Sequence, residues 1–189
     1  MALILDGTGC SGKTSMLQKF ASERFKVIIG DYAEDCIQYG SFKNKNNDNV
    51  LELTYMLFQF GELRPNALHD RGPLSSLAYR MVHDILNGKH TLHEFEVLFT
   101  QLPPEIWSVL GQVKTLIVIE QDPTGALERM ILRNNGIDIM TEAYVEIQNA
   151  VFRLLARYTN AEVITHEKDQ PMDEWIQMLQ ERVKFHLTQ

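Results

Sequence analysis

An α/β fold, with a mostly parallel sheet covered by helices on both faces, is the fold class this sequence predicts. Three observations predict it. Short strand-like runs alternate with amphipathic runs of helix length along the whole chain. The first strand-like run passes straight into the glycine-rich turn GTGCSGKT and then a helical pattern. No repeat or linker interrupts the alternation, so the 189 residues read as one domain. Sheets built this way bind ligands beyond the carboxyl ends of their strands.

Each element follows from its own stretch. ALILD (2 to 6) is the first strand, and the helix at about 12 to 22 starts as soon as the glycines end. KVIIG (26 to 30) is the second strand, followed by the polar patch KNKNNDN (43 to 49), which reads as an exposed loop. A helix over 49 to 62 carries Tyr55, Phe58 and Phe60, and NALHD (66 to 70) is the third strand. Helices follow at 73 to 87 and 92 to 101, then the apolar strand TLIVIE (115 to 120). A helix at 124 to 134 ends in NNGID, with Gly136 near the C′ position, and another covers 140 to 158. EVIT (162 to 165) and a helix over 171 to 186 close the series.

Composition narrows the function classes. With 44% hydrophobic and 23% charged residues, the chain is ordinary for a globular protein, and a net charge of −7 gives no broad attraction to nucleic acid. No apolar run is long enough to cross a bilayer, and Asp6 follows MALIL too soon for a signal-peptide core. The two cysteines, Cys10 and Cys36, have neither zinc-site nor disulfide spacing. The expectation is a cytoplasmic protein with no membrane partner and no metal site built from protein ligands alone.

Gly7, Thr8, Gly9, Cys10, Ser11, Gly12, Lys13 and Thr14 fit G-x-x-x-x-G-K-[ST], with Ser15 next, between a strand and a helix. Glycines let successive backbone N–H groups converge on phosphate oxygens, and the helix adds its positive N-terminal end. Lys13 is placed to reach the β- and γ-phosphates of ATP, and Thr14 to bind Mg²⁺. In HDRGPLSSLAYR (69 to 80), Asp70 and Arg71 stand where the third strand gives way to a helix. If that strand lies beside the first, Asp70 holds the Mg²⁺ shell and Arg71 lies along the phosphates; otherwise Asp70 is a helix cap. Arg129 and Arg133, four apart in ALERMILR, share one helix face and offer two more cations.

Three segments of this chain resemble the thymidylate kinase and deoxynucleoside kinase family of phosphate-loop (P-loop) kinases: GTGCSGKT, DRGPLSSLAY, and IEQDPTGALERMILRNNGID (119 to 138). The resemblance implies a three-layer fold around a five-stranded parallel sheet, with a small mobile lid at about 124 to 140. It also implies ATP and Mg²⁺ as cofactors, a nucleoside or nucleotide acceptor, and dimers formed through helices. Asp31, ending IIGD, matches the position of the acid that takes the proton of a 5′-hydroxyl in deoxynucleoside kinases. Thymidylate kinases carry an arginine near there for the acceptor's phosphate, and residues 28 to 35 contain none. Arg64 or Arg80 remains as a source of that charge. Tyr55, Phe58, Phe60 and Gln59 lie near the expected acceptor pocket, and His69 beside Asp70 reads as a packed strand histidine. In this family the loop at THEKD (165 to 169), which includes His166, lines the adenine pocket. The segment before Asp70 is shorter than in thymidylate kinases, which keeps open a hydroxymethyl-pyrimidine in DNA as acceptor. From another class, an NTP-hydrolysing switch or regulatory nucleotide-binding module also fits the phosphate loop alone.

Overall fold

The computed structural model describes residues 2 to 20, 26 to 30, 35, 49 to 136 and 138 to 188, with side chains from 53 onward in the stretch that begins at 49. Asp31, Cys36, residues 21 and 22 of the first expected helix, and residues 43 to 48 of the polar patch lie outside the described residues. Five strands form one sheet: β1 (Leu3–Gly7), β2 (Lys26–Ile29), β3 (Ala67–Asp70), β4 (Lys114–Glu120) and β5 (Glu162–His166). Every pairing is parallel, in the order β2-β3-β1-β4-β5.

Among the described residues eight helices surround it. They are α1 (Lys13–Phe20), α2 (Asn49–Glu62), α3 (Pro73–Leu86), α4 (Leu92–Gln101), α5 (Pro104–Leu110), α6 (Pro123–Arg133), α7 (Glu142–Thr159) and α8 (Met172–Leu187). The strand pleat divides the core in two. Leu3, Leu5, Leu68, Leu116, Val118 and Ile164 face α1 and α8, packing on Met16, Phe20, Trp175 and Leu179. Ile117 and Ile119, at the alternate positions of β4, face α3, α6 and α7 through Ala78, Val82, Met130 and Phe152. Helices therefore cover both faces, as the βα alternation requires.

The sequence reading contains no counterpart of α5. Pro104 occupies its first turn, where the missing N–H costs nothing, and the helix is held by burial of Trp107 rather than by any long periodic pattern. The Trp107 ring packs 4.6 Å from Phe99 and 4.9 Å from Tyr158, centroid to centroid. At the end of α6 the chain turns at Asn134, which itself takes the left-handed conformation (φ 42°), so the stop comes before Gly136. Local chemistry sets other ends. Thr91 and Glu94 form a reciprocal capping box on α4, and the Thr141 hydroxyl caps α7 by accepting from the Tyr144 N–H at 3.2 Å.

Register positions the site. Leu5 of β1 lies opposite Asp70 on one side and Leu116 on the other, and Gly7 lies opposite Val118. The carboxyl ends of β1, β3 and β4 thus meet at one edge. From there α1 leaves toward one face and α3 toward the other, the arrangement that opens a crevice in a doubly wound sheet.

Candidate active site

The loop after β1 is cut to fit its neighbours. Gly7 has φ +116°, and a Cβ there would sit 2.0 Å from the Val118 carbonyl oxygen. Glycine is needed on both counts. The close approach lets the Thr8 N–H donate to that carbonyl at 2.9 Å. Cys10, at the loop's turn, also adopts a left-handed backbone (φ 55°), a conformation that costs a non-glycine residue free energy and is held by its surroundings.

Distant side chains supply that support. Gln148 accepts from the Gly9 N–H at 2.9 Å, and Asn149 accepts from the Thr8 hydroxyl at 2.5 Å, both from α7. From α8 the Trp175 indole N–H donates to the Ser11 carbonyl at 2.7 Å. Within the loop the Ser11 hydroxyl donates to the Thr8 carbonyl at 2.8 Å.

Lys13 turns its ammonium back into this ring, donating to the carbonyls of Gly7 (3.2 Å) and Thr8 (2.5 Å) and to the Ser11 hydroxyl (3.1 Å). It is only 5% exposed. Burial, reinforced by the nearby Arg71 charge, lowers its pKa from 10.5 to about 7 despite Asp70 and Asp6 nearby. One side chain on, the Thr14 hydroxyl donates to Asp70 Oδ2 at 2.7 Å. Asp70 Oδ1 is buried and has no hydrogen-bond partner among the described residues.

Arg71 follows β3 with φ +70°, pinned by its own N–H to the Leu5 carbonyl at 2.9 Å. Its guanidinium donates to the Tyr79 hydroxyl at 2.8 Å and lies 4.9 Å from the centre of that ring. From α6, Arg129 donates through Nε to the Cys10 carbonyl at 2.8 Å and pairs with Glu120, while Arg133 pairs with Asp138. A pocket of about 240 Å³ lies between these groups, lined by residues 10 to 15, by Arg71, Arg129 and Arg133, and by Met172.

The structure thus gathers Lys13, Thr14, Asp70, Arg71, Arg129 and Arg133 around one pocket edge, with Gly7, Thr8 and Gly9 forming the loop behind it. The adjacency on which Asp70 and Arg71 depended is present. Asp31 lies outside the described residues. Tyr55 is buried with its hydroxyl on Asp35 at 2.7 Å, and Gln59 accepts from Ser76 at 2.6 Å; neither lines this pocket. His69 is a packed strand residue whose Nε2 accepts from the Arg64 N–H at 3.1 Å. Arg64 pairs with Glu62, and Arg80 with Asp84.

Several residues escape a reading of the sequence. Asp6 is fully buried, accepting through Oδ1 from the Gly7 N–H (2.8 Å) and the Ser75 hydroxyl (2.5 Å), while Oδ2 has no partner among the described residues. Burial raises its pKa, opposed by Arg71, Ser75 and Lys13. An acid closing an apolar strand just before the glycines was the one signal available for it. Glu120 is also fully buried, and it meets His166, which the sequence suggested only as part of an adenine-lining loop.

No protein-family profile matches the chain. It is 27% identical over 171 residues to an uncharacterized 33.9 kDa protein in the PE 3′ region of Lymantria dispar multicapsid nuclear polyhedrosis virus. That match covers 86% of this chain and 56% of the viral protein, so the chain spans little more than half of its relative's length. Among solved structures it is similar to deoxyadenosine kinase from M. mycoides with bound dATP, at 13% identity and TM-score 0.66 over 97% of this chain and 100% of that one. The same enzyme with bound dCTP gives 13% identity and TM-score 0.61, over 97% and 99%. It is also similar to the YorR protein of Bacillus subtilis in complex with phosphorylated GDP, at 14% identity and TM-score 0.54 over 100% and 99%. These likenesses show the fold, the one used by deoxynucleoside kinases, in agreement with the fold class read from the sequence.

Proposed function

We propose that this chain transfers the γ-phosphate of ATP to a nucleoside or nucleotide acceptor. The observation that carries the reading is the convergence of Lys13, the Thr14–Asp70 pair, Arg71, Arg129 and Arg133 on the mouth of the glycine loop. Bound ATP would supply the phosphoryl group and Mg²⁺ would neutralise part of its charge. The residues fit both: the amides of residues 10 to 14, which line the pocket, would form the cradle, and the Thr14 hydroxyl with Asp70 Oδ1, which has no partner among the described residues, offers hard oxygen ligands. Among the described residues no group of three or more His, Cys, Asp or Glu side chains is arranged to hold a metal. Lys13 would exchange its loop carbonyls for phosphate oxygens, and Arg71, Arg129 and Arg133 would stabilise charge as it develops on the transferring group. Similarity to a deoxyadenosine kinase solved with nucleotides, and the two arginines that α6 brings to the pocket, support transfer over a hydrolytic switch.

Asp31 follows β2 in the sequence and matches the expected position of a base for an acceptor's proton. Asp6 is fully buried and absent from the pocket lining, so its raised proton affinity reflects burial rather than reach of an acceptor. A base at Asp31 suits a hydroxyl acceptor, since a phosphate acceptor is already anionic and needs cations. The ion pairs that engage Arg64 and Arg80 support the same choice.

The test is a panel of labelled ATP with deoxynucleosides, thymidylate, and duplex DNA carrying a hydroxymethyl-pyrimidine. Transfer to a deoxynucleoside, reduced roughly a hundredfold or more by Asp31→Asn, is expected. Transfer only to thymidylate or DNA would move the acceptor assignment, and ATP hydrolysis indifferent to every acceptor would replace the kinase reading with the switch.

A further inference from the structure

The strongest unassigned feature is the buried carboxylate of Glu120 at the end of β4. It is 0% exposed, and three donors converge on it. The Asp122 N–H reaches Oε1 at 3.0 Å; Arg129 and the Nδ1 of His166, the latter at 2.7 Å, both reach Oε2. The partners bear on the protonation of the imidazole. His166 Nε2 lies 3.0 Å from the Gln170 carbonyl, which can only accept, so Nε2 carries a hydrogen. Nδ1 faces a carboxylate oxygen already accepting from a guanidinium. Both ring nitrogens thus face acceptors, an arrangement that favours the imidazolium and raises the proton affinity of His166.

Two of the partners of Glu120 lead to the phosphate loop, Arg129 directly and His166 through a neighbour. Arg129 donates through Nε to the Cys10 carbonyl, on the pocket wall. His166 stacks on Trp175, with ring centres 4.9 Å apart, and Trp175 donates to the Ser11 carbonyl. The backbone of Glu120 is held as well: Asn149 accepts from its N–H at 3.2 Å and donates to its carbonyl at 2.6 Å, while also accepting from the Thr8 hydroxyl. Removing the Glu120 carboxylate would leave the charges that face it uncompensated, at a cost to stability.

We propose that Glu120 is the positioning residue of the phosphate site. Its carboxylate acts through Arg129, which it aims at the loop, while His166 helps hold the carboxylate in place. The inference rests on the kinase reading and adds a residue that touches neither nucleotide nor acceptor. Without the carboxylate, Arg129 keeps its charge but loses its direction.

A double-mutant cycle tests this. ATP affinity is measured by calorimetry, and turnover on the accepted substrate is followed, for wild type, Glu120→Gln, Arg129→Ala and the double variant. If Glu120 acts through Arg129, each single change weakens ATP binding about tenfold and the double variant is no weaker than Arg129→Ala alone. A merely structural role gives losses that multiply, and that result overturns the proposal. So does Glu120→Gln with wild-type affinity. Should Glu120→Gln fail to fold, Glu120→Asp, which keeps the charge but withdraws it by one methylene, enters the cycle under the same criterion. Wild-type protein that binds no ATP at all would sink the kinase reading together with this inference, whereas intact ATP binding with multiplying losses sinks this inference alone.

Discussion

Replacing Lys13 with methionine should make the protein more stable and less able to hold ATP. The side chain keeps its length, but the ammonium disappears from a place where burial works against charge. A pKa brought from 10.5 down to about 7 corresponds to roughly 4 to 5 kcal/mol of disfavoured protonation. The three hydrogen bonds that Lys13 donates to the Gly7 and Thr8 carbonyls and the Ser11 hydroxyl vanish with it, returning about 1 kcal/mol each. The net gain expected for Lys13→Met at pH 7 is therefore about 1 to 2 kcal/mol. Its pH dependence is the sharper signature. Between pH 7 and 10.5 the unfolded chain keeps the Lys13 proton and the folded chain does not, so wild-type stability rises with pH, by up to about 1.4 kcal/mol per unit. The variant lacks that contribution, and its advantage must shrink from pH 7 upward. Urea denaturation of both proteins from pH 6.5 to 9.5 measures this directly, and saturating ATP should stabilise the wild type only. Curves that run parallel across that range would refute the reasoning, because they would mean that Lys13 stays charged in the folded protein.

Gly7→Ala should cost about 3 to 5 kcal/mol in a urea midpoint series, since the new Cβ would meet backbone atoms of Val118 that cannot rotate away, at a φ of +116°. A near-neutral substitution would show that β1 and β4 part easily there. For His166, burial lowers the proton affinity but the Glu120 hydrogen bond and charge outweigh it, so the pKa lies above its ordinary 6.5. The stabilisation is present in full below pH 6.5 and is lost as pH rises through the folded-state value. Relative to His166→Gln, wild-type stability should therefore fall across that window, and denaturation between pH 5.5 and 9 checks the sign.

The parts of the site legible in the sequence are those whose chemistry is local. The glycine loop carries its own turn residues, its lysine and its following helix, and the Asp70–Arg71 pair sits at a strand-to-helix junction that apolar periodicity marks. Arg129 and Arg133 needed only a helical spacing of four. The supports were illegible because contacts across long loops make them. Gln148, Asn149 and Trp175 lie 139 to 164 residues from the loop atoms they bond, and nothing in their neighbourhoods distinguishes them from ordinary helix residues. Glu120 was read as the polar end of an apolar strand, and only the register of β4 with β5, which sets it opposite His166, turns that end into a charged cluster. Helix α5 escaped for a different reason: at seven residues, opened by a proline pair, it is shorter than the window in which periodicity speaks.

The indole of Trp175 under the carbonyl of Ser11 imposes an order of events on synthesis. A ribosome emits the glycine turn more than 160 positions before the group that braces it from below. Until that group arrives the nascent turn waits in an unbraced form. The finished shape of the loop is thereby reserved for chains in which the helix carrying Trp175 has cleared the exit tunnel and docked.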